Sequence, residues 1–195
     1  MKLRDWMTSL TLAFAALIAL PAWAGDKPAA EEENGSIPAA EIKVPAPPVG
    51  KGQVLFYRKG GFAGSAVACS IHENGLKVSS LGGGKYFIMV TTPGKHEFAV
   101  KSEATDKLTI EVEPDETQFV ACKIKAGFMV GRPDIRPSNE QEFRAMKKFK
   151  MVNEDDMGPG PGALRPGEVK AALAAGQAPA AAPAPAPATA PAKPS

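Results

Sequence analysis

Between residues 52 and 125 apolar and polar side chains alternate with period two, in short runs separated by Gly, Pro, Asn and Asp. This is the pattern of half-buried strands joined by turns. Residues 54–58 form the first run, and the second, 66–72, puts Val67, Cys69 and Ile71 on one face. Asn74-Gly75 follows, a pair suited to a two-residue type I′ turn because both central positions need φ above zero. Residues 76–81 are therefore the predicted antiparallel partner. Gly82-Gly83-Gly84 releases the chain into 86–90, and Pro93-Gly94 turns it into 96–100, where inward and outward residues should alternate from His96 onward. Pro then Gly fits a type II turn, which splays a tight hairpin, so this corner is either a longer loop or an arch between two sheets. In the next run Leu108, Ile110 and Val112 point inward, and Pro114-Asp115-Glu116 ends it. Residues 117–125 carry Val120, Cys122 and Ile124 in phase, and 128–130 form an eighth, edge strand that Arg132-Pro133 terminates. The predicted fold is all-β: a small antiparallel β-sandwich of seven or eight strands, with a small closed barrel as the alternative.

One helix is predicted, over 139–150, with Ser138 as its cap, Gln141 completing a capping box and Pro137 blocking extension backward. Glu140 and Glu142 at its start and Lys147, Lys148 and Lys150 at its end complement the helix dipole. Phe143 and Met146, continued by Phe149 or Lys150, give it a narrow apolar stripe for one edge or end of the sandwich. Its terminal lysines read as a solvated helix end, with a surface-binding role as the alternative.

The flanks break the alternation. In residues 1–24, Lys2 and Arg4 precede an apolar run of 14 residues and the small-residue site Pro21-Ala22-Trp23-Ala24, the layout of a cleaved secretory signal. The run is short of the roughly 20 residues of a membrane helix, and no Cys lies near the cut for lipid attachment. A soluble mature chain in the periplasm or outside the cell is expected, with no membrane segment after cleavage. Residues 25–50, with Glu31-Glu32-Glu33 and repeated Pro, read as an acidic Pro-rich linker. Asn34-Gly35-Ser36 matches the N-glycosylation pattern, a match weakened by the bacterial character of the leader. Residues 153–195, from Glu154-Asp155-Asp156 through GPGPG to alternating Ala and Pro, read as a disordered spacer. That leaves one domain, 51–152.

Charge narrows the partners. The chain carries +2 overall and the domain about +5, with lysines scattered through the strands, so nucleic acid is not an expected partner. Cys69 and Cys122 both share the inward phase of their strands, and in an oxidising compartment a disulfide between them is the natural reading, two buried thiols the alternative. His72 falls on the face opposite Cys69, and two His with two Cys lack the close pairs of a zinc site, so neither a Cys-His nucleophile nor a metal or other cofactor is expected. Gly84-Lys85 has Ser79 and Tyr86 where a phosphate loop needs Gly and a hydroxyl. Arg58 shares the inward phase of Val54 and Phe56 and needs a carbonyl, a carboxylate or an anionic ligand. Tyr57, Arg58, Phe62, Tyr86 and His96 are the candidate rim for a ligand or partner.

GQVLFYR, the Asn-Gly turn, LGGGKYFIMVTTPGKHEF and LTIEVEPDETQFV, in that order after an export signal, resemble the bacterial domain-of-unknown-function family 2846 over residues 51–130. The Pro93-Gly94-Lys95-His96 corner is also similar, more loosely, to the small envelope repeats named for a proline-glutamate-glycine-alanine motif. Both resemblances imply a β-sandwich with no established enzymatic activity and no catalytic residue to carry over. The expected function is a non-enzymatic exported module that binds a protein or an envelope polymer, the alternative a periplasmic small-molecule or glycan carrier.

Overall fold

The computed structural model describes residues 35–61, 67–101, 105–125 and 131–176. The export signal, the first part of the linker with Asn34, Phe62, the expected strand 128–130 and the tail from 177 lie outside the described residues. Ten strands are present among the described residues: β1 Ile37–Pro38, β2 Gly52–Arg58, β3 Cys69–Glu73, β4 Leu76–Leu81, β5 Lys85–Thr91, β6 Gly94–Lys101, β7 Thr105–Val112, β8 Thr117–Lys125, β9 Arg132–Ser138 and β10 Lys148–Met151. Among the described residues there are two α-helices, α1 Glu140–Arg144 between β9 and β10 and α2 Pro166–Ala175 after β10. The strands form a six-stranded sheet, β1-β10-β5-β2-β8-β9, facing a four-stranded sheet, β4-β3-β6-β7. The β-sandwich predicted by the alternation is the fold.

Asn74 and Gly75 both take positive φ, 50° and 81°, and close the β3–β4 hairpin. Pro93-Gly94 is an arch, because β5 belongs to the large sheet and β6 to the small one. After it, Phe98 and Val100 are buried while Lys95, Glu97 and Lys101 are exposed, the alternation expected of β6. Between the sheets Phe56 stacks on Phe87 at 4.8 Å and meets Phe98 edge-on at 4.9 Å. Aromatic pairs in these geometries add about 1 kcal/mol beyond their buried area. Cys69 on β3 is disulfide-bonded to Cys122 on β8, with 6.6 Å between Cα atoms, so the bond ties the two sheets together through this core.

Four expectations need correction. First, the sandwich is not wholly antiparallel: β2 pairs with β8 in parallel, from Gln53↔Thr117 to Arg58↔Cys122, and β10 pairs with β5 in parallel. Between β2 and β8 the chain makes four strands of the small sheet, β3, β4, β6 and β7, and one of the large sheet, β5, and the turn before β8 laces onto the start of β2. Asp115 N donates to Lys51 O at 2.7 Å and Gln53 N to Glu116 O at 2.9 Å.

Second, Arg132-Pro133 does not end the sheet; it opens β9. Pro133, Ile135 and Pro137 share one parity of this edge strand. Ile135 N points away from β8 and donates to Asp106 Oδ2 at 2.9 Å. Prolines at that parity therefore remove no ladder hydrogen bond, the condition under which edge strands accept them.

Third, the helix 139–150 is only α1, capped by Asn139, whose side chain accepts from Glu142 N at 2.8 Å. Six residues along an α-helix lie about 120° apart around its axis, so a continuous helix separates Phe143 from Phe149. Breaking into β10 brings their rings into a stack, 5.1 Å apart and 4° from parallel.

Fourth, the flanking segments are partly folded. Ala39 and Ile42 are buried, and their carbonyls accept from Arg144 Nη1. Downstream, Gly158 N donates to Val78 O, Gly160 N to Lys77 O and Val90 N to Gly162 O, at 2.7–2.9 Å, so GPGPG runs as a strap along the edges of β4 and β5. A Cβ on Gly158 would overlap Lys77 O, and one on Gly160 would come within 2.8 Å of it. Only glycine lets the backbones approach this closely. The strap then feeds α2, with Pro166 in its first turn and Gly176 at φ 76° beyond its end.

These additions form a third layer. Leu55, Tyr57, Tyr86 and Ile88, on the outer face of the large sheet, pack against Ile42, Phe143, Phe149, Leu164 and Val169. Strand β2 is consequently buried on both faces.

Candidate functional site

Strand β2 leaves the sheet at Arg58, and the next residues, Lys59 to Gly61, run beside the turn that joins α1 to β10. Between them lies a hollow of about 550 Å³. Its depth is apolar, from buried Phe149 and half-buried Met146 with the backbone of Gly60, and its mouth carries exposed Lys59, Lys147 and Lys148. Among the described residues no carboxylate lines it and no ion pair engages those three lysines. Small-molecule sites have volumes of about 300–1,000 Å³ and are mostly apolar with a few placed polar groups. The hollow has that character, with one sign of charge at its opening.

Lys59 and Met146 also line a smaller cavity of about 120 Å³ on the side of Tyr57. Here Tyr57 OH and Ser138 Oγ are 2.5 Å apart, Ser138 Oγ donates to Glu142 Oε2 at 2.8 Å, and Arg136 donates to both oxygens of Glu142. Arg136 and then Ser138 hold the Glu142 carboxyl below the usual glutamate value, outweighing its partial burial. Burial pushes the Tyr57 phenol up, against the opposing hydrogen bond of Ser138, and keeps it a neutral hydroxyl. The cluster pins α1 to the end of β9 and so shapes one wall of the hollow. A depressed carboxyl adds stability that is complete above its unfolded value and is lost as pH falls through the lower folded value. Glu142→Gln is therefore expected to cost roughly 1 kcal/mol at neutral pH. Unfolding curves taken down through the carboxylate range should show the gap from wild type closing.

The other sequence-predicted residues are spent on architecture. Arg58 is buried and donates through Nη1 to Val67 O and, at 3.4 Å, to Leu81 O; burial pulls its guanidinium below the ordinary arginine value. Tyr86 lies in the outer core, edge-on to Phe143 and Phe149, with its phenol pushed up by burial. His96 sits at the arch on β6 of the small sheet, Nδ1 at 2.6 Å from Glu73 Oε1 and Nε2 at 2.8 Å from Thr92 O, whereas the hollow lies beside β2 and β10 of the large sheet. Cys69 and Cys122 are joined to each other. The structure thus brings Tyr57 near the hollow but seals its ring in the core, and it does not unite the four described candidates, Tyr57, Arg58, Tyr86 and His96, into one rim. Among the described residues no three His, Cys, Asp or Glu side chains converge as a metal site, and no helix is long and apolar enough to cross a membrane.

Sequence alone does not single out Lys59, Met146 and Phe149, and it marks Lys147 and Lys148 as a solvated helix end with surface binding as the alternative. A signal for them exists: Lys148-Phe149-Lys150-Met151 alternates with period two, the mark of a strand.

Fold and hollow together define a disulfide-stapled β-sandwich module with a cationic, apolar-floored opening. Residues 48–132 match the family described as protein of unknown function (DUF2846), the family that the sequence resembles over residues 51–130. The matched stretch supplies Lys59 and Gly60, whereas Met146 to Phe149 lie beyond it. No curated protein and no solved structure matches the chain.

Proposed function

We propose that the chain is an exported, non-enzymatic binding module that holds an envelope component in the hollow beside Lys59. The hollow carries this reading: it is the place where apolar lining and unpaired charge meet, while the polar residues singled out by sequence are engaged in holding the fold. Export is supported by the leader-like residues 1–24 and by the disulfide, a bond that persists in oxidising compartments. The small-molecule carrier is the second reading, favoured by the hollow's volume.

A photocrosslinking residue placed at Lys147 in cells is expected to give reproducible adducts, and one at Lys107, on the small sheet, is expected to give none. The recovered chain should have the mass of residues 25–195 and fractionate with the envelope. Adducts from Lys107 alone, or a full-length chain retained in the cytoplasm, would overturn the reading. So would any turnover abolished by His96→Ala in a folded protein.

A further inference from the structure

We propose that the hollow seats the headgroup of an anionic phospholipid, with the first part of its acyl chains on Ala145 and Met146. This rests on the binding-module reading and names its ligand class. Lys85, Lys107, Lys123 and Lys125 each reach a carboxylate, at 2.5–3.3 Å. Lys59, Lys147 and Lys148 reach none, although they surround a single opening. Three ammonium groups there set up a positive field with no compensating charge on the lining, and the field lies directly over apolar side chains.

That combination selects its occupant. A free phosphate would satisfy the lysines and leave the accessible apolar lining, Ala145 and Met146, in water. A zwitterionic or neutral lipid would cover the apolar lining and bring a second cation, or no anion, to the lysines. An anionic phospholipid supplies both halves: phosphate oxygens that accept from several ammonium donors, and hydrocarbon continuous with the headgroup. Lysine suits the role because its flexible stem lies along apolar surface while the charged end follows the anion. Glu142, the nearest acid in the adjoining cavity, is already held by Arg136 and Ser138 and does not compete for these lysines.

The test uses dioctanoyl phosphatidylglycerol below its micellar concentration, titrated into the full chain by calorimetry. Dioctanoyl phosphatidylcholine and inorganic phosphate serve as the comparison probes. The glycerol lipid is expected to bind saturably, the choline lipid at least tenfold more weakly, and phosphate without saturation. Each lysine beside an anionic headgroup is worth about fivefold, so K59Q/K147Q/K148Q together should weaken binding on the order of 100-fold. Binding should also weaken with salt, since the screening length falls from about 10 Å at 0.1 M to 3 Å at 1 M. The variant keeps the apolar run of residues 7–20, so any lipid contact made there cancels in the comparison. The substituted lysines are exposed, and an unchanged thermal unfolding curve will show the fold intact. Equal affinity for the two lipids, an unaffected triple variant, or saturable binding of phosphate alone would overturn the assignment. If the lipid fails to bind while Lys147 still crosslinks to a protein, the lipid is wrong and the module reading stands. If both fail, both are wrong.

Discussion

Gly162→Val is expected to lower the stability of the domain by about 3 kcal/mol, although it lies in a segment that composition marks as spacer. Gly162 has φ 92°, and a Cβ there would stand 2.5 Å from Val90 O. A β-branched residue in this left-handed region costs about 1–2 kcal/mol of backbone strain, and the overlap must be relieved by moving the strap off β5. Moving it breaks the bonds from Val90 N to Gly162 O and from Leu164 N to Ile88 O, at 2.9 and 2.8 Å. It also loosens Leu164, whose burial on the outer core contributes about 1.5–3 kcal/mol. Gly167→Ala is the matched control: nothing lies within 4 Å of its added Cβ, and alanine within α2 should leave stability unchanged or raise it by up to about 1 kcal/mol. Denaturant midpoints of the two variants measure the difference. Equal midpoints would mean that residues 153–176 do not hold the domain.

Loss of the disulfide should cost about 4 kcal/mol. Cys69 and Cys122 are 53 residues apart, and closing a loop of that length removes about this much chain entropy from the unfolded state. The bond joins β3 of one sheet to β8 of the other, so the double variant Cys69→Ala/Cys122→Ala also leaves a gap where both sheets meet. Its denaturation midpoint should fall far below that of the oxidised protein and near that of the wild type unfolded in reductant. Alkylation of denatured, unreduced protein should label no thiol; two labelled thiols per chain would remove the basis of the prediction. Because both sulfurs are buried, reductant should act on the native protein only through its opening.

Much of the sandwich can be read from the chain because its causes are local. The phases of Cys69 and Cys122, the two positive-φ positions at Asn74-Gly75, and the break at Pro93-Gly94 each follow from a few neighbouring residues. That the break is an arch and not a longer loop depends on β5 and β6 lying in different sheets. Which strand lies beside which is not local: the parallel pairing of β2 with β8 depends on a return after five intervening strands. No residue type in either strand announces it.

The candidate site was less legible, for a related reason. Tyr57 and Tyr86 looked like rim aromatics because each sits near a glycine-rich turn, and a strand in a two-layer sandwich has one face free. Here both faces of β2 are covered, since Ile42, Phe143, Phe149, Leu164 and Val169 arrive from segments rich in Pro, Ala and charge. The hollow in turn is made by two pieces of chain more than eighty positions apart in order, Lys59–Gly61 and the turn before β10, neither of which has a motif.

Alternation and turn chemistry thus decide for themselves that this protein is a β-sandwich, where its chain turns, and that its two cysteines face inward. The third layer, the strap along β4 and β5, and the meeting of Lys59 with Lys147 and Lys148 are decided by packing. The physical reason is one of range. A strand's periodicity records that a face is buried but not what buries it, and a glycine records that backbone is tight without naming the backbone it approaches. Pro-Gly composition has the same appearance in a free spacer and in a strap whose glycines lie against a strand edge, and only the partner strand tells them apart.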